Sequence, residues 1–153
     1  MKRNERLSVA LHVLLHMAER PNAAMTSEEM AACVGTNAVV IRRTFAGLRE
    51  AGIVSSLKGH GGGWRLARPL SEVSLEAVQR ALGERVVTVA TPEESRGCLV
   101  ERAVHLALDE AVAEASRVIE RRLAAITLAD LATDIGRLKN AIVRTQGDTS
   151  HAA

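Results

Sequence analysis

A short glycine-rich segment constrains the fold of this chain more than any other feature. Four of the six residues in 58–63 are glycines. Glycine is entropically costly and weakens helices, so a run this dense predicts a turn whose backbone conformation requires it. The segments on either side, residues 53–57 and 64–67, are β-prone. We therefore predict a β-hairpin with a glycine-rich tip.

The residues before this hairpin have the pattern of a helix-turn-helix. Thr26, followed three residues later by Glu29, is a capping box that starts a helix. Gly35 ends that helix early, because glycine accepts the positive φ angle of a helix end. Asn37 is a good N-cap for the next helix, which we expect to continue to Ala51. A hairpin directly after the second helix is a wing, so the predicted fold is mainly α, a winged helix-turn-helix.

The outer face of this second helix suits the major groove of DNA. The groove admits one helix, whose first turns must present hydrogen-bond donors and small apolar groups to the base edges. A glycine-rich wing lets backbone amides approach phosphates, and flanking cations add positive charge. The predicted DNA-contacting residues are Ser27, Asn37, Val39, Arg42 and Arg43 in the helix-turn-helix, and Lys58, His60, Gly61, Gly62 and Arg65 in the wing.

The phosphate-binding loop of an enzyme is the competing interpretation of the glycine turn. Such a loop ends in Gly-Lys-Ser/Thr and leads into a helix, whereas residues 64–67 predict a strand. The sequence also shows no Ser/His/Asp set and no HExxH motif. We therefore predict no catalytic residues and no enzymatic activity.

Charge is distributed unevenly along the chain. Residues 1–68 have a net charge of +5 and residues 69–153 a net charge of −3. This difference predicts that the basic first half binds a polyanion and that the second half does not. Phe45 and Trp64 are the only aromatic residues, which argues against proteins that stack single-stranded bases on aromatic rows. We expect Trp64 to pack beneath the wing. No apolar run reaches the ~18 residues of a membrane span and no export signal is evident, so we expect a cytoplasmic protein without a membrane partner.

The remaining segments are predicted to be mostly helical. Apolar residues recur every three or four positions in residues 6–19, in residues 98–126 and from Thr127 onward. A shorter helix is predicted over residues 75–82. Residues 86–89 are β-prone and are predicted as a short strand or an extended linker.

The helix-turn-helix and the wing resemble the DNA-binding domain of Rrf2-type transcriptional regulators. The most specific match is Lys-Gly-His-Gly-Gly-Gly-Trp-Arg-Leu-Ala-Arg from Lys58, where the family has a glycine pair, an aromatic residue and Leu-Ala. Thr-Ser-Glu-Glu-Met-Ala from Thr26 and Asn-Ala-Val-Val-Ile-Arg-Arg from Asn37 also match. The resemblance implies binding of double-stranded DNA by a homodimer joined through the long helix 98–126. The expected parts are a DNA-binding domain (1–69), a helical dimerisation region (70–144) and a disordered tail (145–153).

The cysteines distinguish this chain from the iron–sulfur sensors of that family. Those members commonly have three cysteines just before and at the start of the long helix, and a cluster usually needs four ligands. This chain has only Cys98 there, so we predict a cluster-free member with no cofactor and no metal site. Cys98, near a helix N-terminus, is a candidate redox sensor. The other cysteine, Cys33, is expected to be a small core residue.

Two histidines of the first helix have a spacing that is compatible with metal binding. His12 and His16 lie four residues apart, but the sequence shows no third ligand, so an ordinary helix surface is expected.

The function predicted from the whole sequence is sequence-specific DNA binding by a homodimeric regulator, with repression as the expected mode. Two alternatives stay open. One is a redox or iron–sulfur sensing regulator of the same fold that uses Cys98. The other is a protein-interaction module that uses the long helix without binding DNA.

Overall fold

The structure, a computed structural model, describes residues 5–83 and 98–148. Their elements, in chain order, are α1 (Glu5–Ala18), α2 (Ser27–Val34), α3 (Ala38–Glu50), β1 (Val54–Leu57), β2 (Gly63–Leu66), a 3-10 turn (Leu70–Glu72), α4 (Leu75–Ala81), α5 (Leu99–Ala124) and α6 (Leu128–Asp148). The prediction of a mainly helical fold with one small hairpin is confirmed. The β-prone segment 86–89 lies outside the described residues.

The capping box that was predicted at the start of α2 is present. The backbone N–H of Thr26 donates to Glu29 Oε2 at 2.7 Å, and the backbone N–H of Glu29 donates to Thr26 Oγ1 at 3.1 Å. The hydrogen bond from the Thr26 backbone N–H, followed by that with the Thr26 hydroxyl, lowers the pKa of the Glu29 carboxyl. Gly35 ends the helix with a φ angle of +67°, in the left-handed region that glycine favours.

The hairpin is a two-stranded antiparallel sheet that is extended by one bridge. Val54 pairs with Leu66 and Leu57 with Gly63, which places the glycine-rich turn at the tip. Met25, just before α2, forms an isolated antiparallel bridge with Trp64 of β2. This bridge attaches the wing to the start of the helix-turn-helix.

One hydrophobic core joins the helix-turn-helix, the wing and α4. Its fully buried residues include Leu14 of α1, Met30 of α2, Phe45 of α3 and Val78 of α4. Leu128, the first residue of α6, is buried in the same cluster. The core therefore continues across the predicted boundary at residues 69 and 70.

Helices α5 and α6 differ in how they meet this core. Helix α6 packs on the 3-10 turn and α1, whereas α5 contacts α4 and has one buried residue, His105. Helix α5 has 26 residues and a length of about 39 Å, slightly shorter than the predicted 98–126. Helix α6 continues to Asp148, into the segment that was predicted as a disordered tail. In the described part of the chain, no helix combines the length and the apolar character needed to cross a membrane.

Candidate nucleic-acid interface

The N-terminus of α3 is fixed by its own first side chain. Asn37 is the N-cap, and its Oδ1 accepts hydrogen bonds from the backbone N–H groups of Val39 at 3.1 Å and Val40 at 3.0 Å. The Asn37 side chain is exposed, and its carboxamide nitrogen is still available as a donor. The first turn of α3 is therefore a rigid, exposed helix end.

Helix α3 has one buried and one exposed face. Ile41, Phe45 and Leu48 are fully buried against the core. Val39 is 64% exposed, although it is a large apolar residue within the first turn of the helix. Arginines occupy the next turn of the exposed face at positions 42 and 43. The exposed face thus presents apolar and cationic groups together.

The two arginines of this face differ in their partners. The Arg42 guanidinium forms an ion pair with the Glu28 carboxylate of α2, with Nη1 and Oε1 3.2 Å apart. Within the described residues, Arg43 makes no ion pair or side-chain hydrogen bond. Arg43 is therefore available to a ligand directly, whereas Arg42 must first exchange Glu28 for that ligand.

The tip of the wing requires glycine at several positions. Gly59 and Gly61 have φ angles of +93° and +73°. A Cβ atom on Gly62 would lie 2.5 Å from the carbonyl oxygen of Leu57, which is closer than such contacts allow. Gly63, with a φ angle of +142°, would place a Cβ atom 2.6 Å from the Met25 carbonyl oxygen. The density of glycine here therefore has a steric cause.

The cationic groups of the wing face solvent. Lys58 and His60 lie in the turn and Arg65 lies on β2, and all three are exposed. Trp64 points to the opposite face of β2 because side chains alternate along a strand. The Trp64 side chain is buried with its ring edge-on to Phe45, at a centroid distance of 5.5 Å. The expected packing of Trp64 beneath the wing is confirmed.

Ser27 lies in the core, away from the surface on which a DNA contact was expected. It is 7% exposed, and its Oγ accepts a hydrogen bond from Trp64 Nε1 at 3.0 Å. The sequence marks Ser27 only as a hydroxyl at a helix N-terminus, and its partner lies 37 residues further along the chain. We therefore leave Ser27 out of the DNA-contacting set.

Sequence reasoning also missed a close approach between α3 and α4. A Cβ atom on Gly47 would lie 2.3 Å from the carbonyl oxygen of Ala81. Gly47 therefore lets α3 pack closely against the end of α4. A glycine inside a helical pattern is the signal that could have indicated this contact.

The two cysteines lie on different elements, and both are exposed. The expectation that Cys33 is a core residue is wrong, because the buried face of the short α2 is formed by Ser27, Met30 and Ala31. Cys98 is the N-cap of α5 and its side chain makes no capping hydrogen bond. Redox sensing through Cys98 stays a prediction.

The donor set of this chain does not fit an iron–sulfur cluster. A cluster usually requires four ligands, most often thiolates, and the whole sequence contains only Cys33 and Cys98. Among residues 5–83 and 98–148, no three Cys, His, Asp or Glu side chains come together in a way that could hold a metal ion.

Comparisons with known proteins agree with this geometry. The sequence matches the Rrf2 family, described as iron-dependent transcriptional regulators, over residues 3–134. YwnA of Bacillus subtilis (strain 168), named as an HTH-type transcriptional regulator, is 34% identical over 131 residues, or 84% of this chain and 95% of that protein. A crystal structure described as that of a DNA-binding protein is 31% identical, with a TM-score of 0.65, and covers 82% of this chain and 97% of its own.

A second solved structure extends the likeness in fold. A transcriptional regulator from Lactobacillus plantarum has a TM-score of 0.73 at 20% identity, covering 94% of this chain and 97% of its own. At that identity the likeness concerns the fold alone. The family match, the relatives and the wing geometry together identify this chain as a member of the Rrf2 family, a DNA-binding transcriptional regulator with a winged helix-turn-helix.

Proposed function

We propose that the protein is a cytoplasmic, homodimeric repressor that reads a specific DNA site with α3 in the major groove and the wing on the flanking backbone and minor groove. The supporting observation is the exposed first half of α3, where Val39 and Arg43 face solvent beside a glycine-rich wing. Repression requires nothing beyond occupancy, because a protein bound over a promoter excludes RNA polymerase.

The side chains of α3 match the chemistry of base edges. Arg43 and, after it leaves Glu28, Arg42 are suited to paired hydrogen bonds with guanine O6 and N7. Val39 offers an apolar contact to a thymine methyl group, and this role accounts for its exposure. The carboxamide nitrogen of Asn37 is a donor for a base or a phosphate.

The wing supplies contacts that position the protein without reading sequence. Lys58 and Arg65 are exposed cations on either side of the glycine tip, and cations at such a position neutralise phosphates. His60, Gly61 and Gly62 form the part of the turn that comes closest to the nucleic acid. The glycines leave no side chain between the backbone amides and a phosphate.

The exposed apolar face of α5 supports dimerisation. Its large exposed hydrophobic residues include Val104 at 50%, Leu108 at 44% and Val118 at 53% exposure. Together with smaller neighbours they recur every three or four residues in one stripe, which consists of Val100, Val104, Leu108, Ala111, Ala115 and Val118. A long apolar stripe open to water is typical of an interface, and a second copy of α5 offers a matching stripe. Such a dimer can present two α3 helices to half-sites about 34 Å apart.

A DNA titration at several salt concentrations tests the assignment of α3 and the wing. We expect Arg43→Ala to weaken binding by about 1–3 kcal/mol and to relax base preference at one position of the site. Lys58→Ala should weaken binding to all sequences alike and reduce the slope of log K against log salt by about 1. The matched control is Arg49→Ala, since Arg49 is an exposed arginine in the last turn of α3. Equal losses for the α3 variant and the control on all sequences would contradict the assignment.

The sign of regulation requires a transcription assay. On a promoter that contains the bound site, run-off transcription should fall as the wild-type protein is added and should fall less with Arg43→Ala at the same concentration. A rise in transcript with wild-type protein would show activation instead.

A further inference from the structure

Two histidine rings converge on a face of α1 that borders α6. His12 and His16 lie one helical turn apart, and their Nε2 atoms are 3.0 Å from each other. The ring centroids are 4.8 Å apart and the planes are tilted by 34°. The Nε2 atoms of His12 and His16 are therefore close enough to bind one metal ion together.

The Glu19 carboxylate contacts the His16 ring at the nitrogen that does not face His12. His16 Nδ1 lies 3.3 Å from Glu19 Oε2, and Glu19 Oε1 is 3.0 Å from Lys139 Nζ of α6. The Glu19 carboxylate thus lies between the His16 ring and the Lys139 ammonium group. A carboxylate on one ring nitrogen orients the imidazole and makes the other nitrogen a better ligand, as around many metal-bound histidines.

A groove between α1 and α6 gives access to the two rings. Its volume is about 570 Å³, and its lining includes His12, His16, Glu19 and Lys139. Leu15 and Ile135 are among the apolar residues that line it. The groove leaves room for water or a small chelating molecule beside the histidines.

We propose that His12 and His16 form a bidentate site for a divalent transition-metal ion, of which Ni²⁺ and Cu²⁺ fit best. With metal–nitrogen bonds of about 2.1 Å, the 3.0 Å separation of the Nε2 atoms corresponds to a nitrogen–metal–nitrogen angle of about 90°. Octahedral and square-planar ions have adjacent ligands at that angle, whereas tetrahedral Zn²⁺ would need the nitrogens further apart. Water or a small ligand in the groove completes the coordination, because no third side chain of the described residues joins the pair.

The competing explanation is a hydrogen bond between two neutral imidazoles, one acting as donor and the other as acceptor. It accounts for the same 3.0 Å distance without any ion. Metal titration of the full-length protein separates the two explanations.

The experiment is a calorimetric titration of the reduced wild-type protein with NiCl₂. We expect one Ni²⁺ per chain, with binding lost in His12→Ala and in His16→Ala. Glu19→Gln keeps both ligands but removes the carboxylate charge behind His16, and should weaken binding roughly tenfold. Two controls should bind like the wild type, namely His151→Ala and the double variant Cys33→Ser/Cys98→Ser. Far-ultraviolet circular dichroism of each variant before titration verifies that it is folded.

Two results would overturn the proposal. One is a wild-type protein that does not bind Ni²⁺ or Cu²⁺, which would leave the imidazole hydrogen bond as the explanation. The other is binding that survives both histidine substitutions but disappears in the double cysteine variant, which would assign the ion to thiolates. Because the titration contains no DNA, its outcome is independent of the proposed repressor function.

Discussion

The N-terminal region and α5 use apolar side chains in opposite ways. In α1 to α4 and the hairpin, apolar residues meet in one buried core, which includes both aromatic rings of the chain. Helix α5 has 26 residues, and His105 is the one that is buried. Both segments show the same apolar spacing in the sequence. The first region is therefore stabilised by its own contacts, and in the proposed dimer a partner chain covers the exposed stripe of α5.

This difference predicts two kinds of response to substitution. Changes in the packed region should alter the free energy of unfolding. Changes on the exposed stripe of α5 should alter association between chains and leave the fold of each chain largely intact. The predictions below test this division, beginning with the largest expected effect.

The largest effect is expected from a charge on the α5 stripe. Leu108→Glu should convert the dimer to a monomer and weaken DNA binding by about 100-fold, because the two half-sites would no longer be bound together. Sedimentation velocity and a DNA titration measure the two effects. The control is Leu106→Glu, in which the same substitution is made at a residue that is 63% exposed and lies off the stripe. Dimerisation that survives Leu108→Glu, or that is lost equally in the control, would contradict the proposed interface.

A pair of glycine substitutions tests the packed region. Gly47→Ala should lower the free energy of unfolding by about 1–3 kcal/mol, because its Cβ atom would lie 2.3 Å from the Ala81 carbonyl oxygen. Gly136→Ala in α6 meets no atom within 4 Å and should raise stability by about 0.5–1 kcal/mol through helix propensity. Urea unfolding at one fixed protein concentration measures both changes. Similar destabilisation by the two substitutions would argue against the close approach of α3 and α4.

A smaller effect is expected where α2 and α3 share an exposed ion pair. Glu28→Gln frees Arg42 and removes a negative charge near the DNA, so affinity for DNA should increase about two- to five-fold, within the range of surface ion pairs. Stability should be almost unchanged. The matched control is Glu72→Gln, which breaks the exposed pair with Arg68 away from α3. Weaker DNA binding by the Glu28 variant would show that the ion pair positions Arg42 for binding.

The smallest effect is expected when acid protonates the Glu29 carboxylate of the α2 capping box. The backbone N–H of Thr26 lowers the pKa of Glu29 from 4.5, so the ionised carboxylate stabilises the folded state. This contribution is complete above pH 4.5 and is lost as the pH falls through the lower pKa of the folded state. Glu29→Gln should therefore flatten the fall in stability below pH 4.5, as measured by thermal unfolding across pH. An unchanged pH profile would mean that ionisation of Glu29 contributes nothing to stability.

The features that could be predicted from the sequence are those determined by neighbouring residues. The Thr26–Glu29 capping box, the Asn37 N-cap and the glycine wing each depend on a few consecutive positions, and all are present in the structure. The exposed arginines of α3 follow from helical periodicity in the same way.

The features that escaped prediction depend on residues far apart in the chain. The burial of Ser27 requires Trp64, and the steric demand on Gly47 comes from Ala81. Periodicity shows that α5 has an apolar stripe, but the stripe alone does not reveal whether the same chain covers it. Cys33 was misplaced because so short a helix buries few of its residues. Tertiary packing decides each of these cases, and no local pattern encodes it.

The central claim is that α3 and the wing of a dimer read a specific DNA site. Its most direct test is selection of bound fragments from the genome that encodes the protein, with the wild type and Arg43→Ala assayed in parallel. We predict that the wild type enriches a two-fold symmetric motif with half-sites about one helical turn, 34 Å, apart, and that Arg43→Ala loses preference at one base pair of each half-site. No enriched fragment for the wild type, or an identical motif for Arg43→Ala, would contradict the claim.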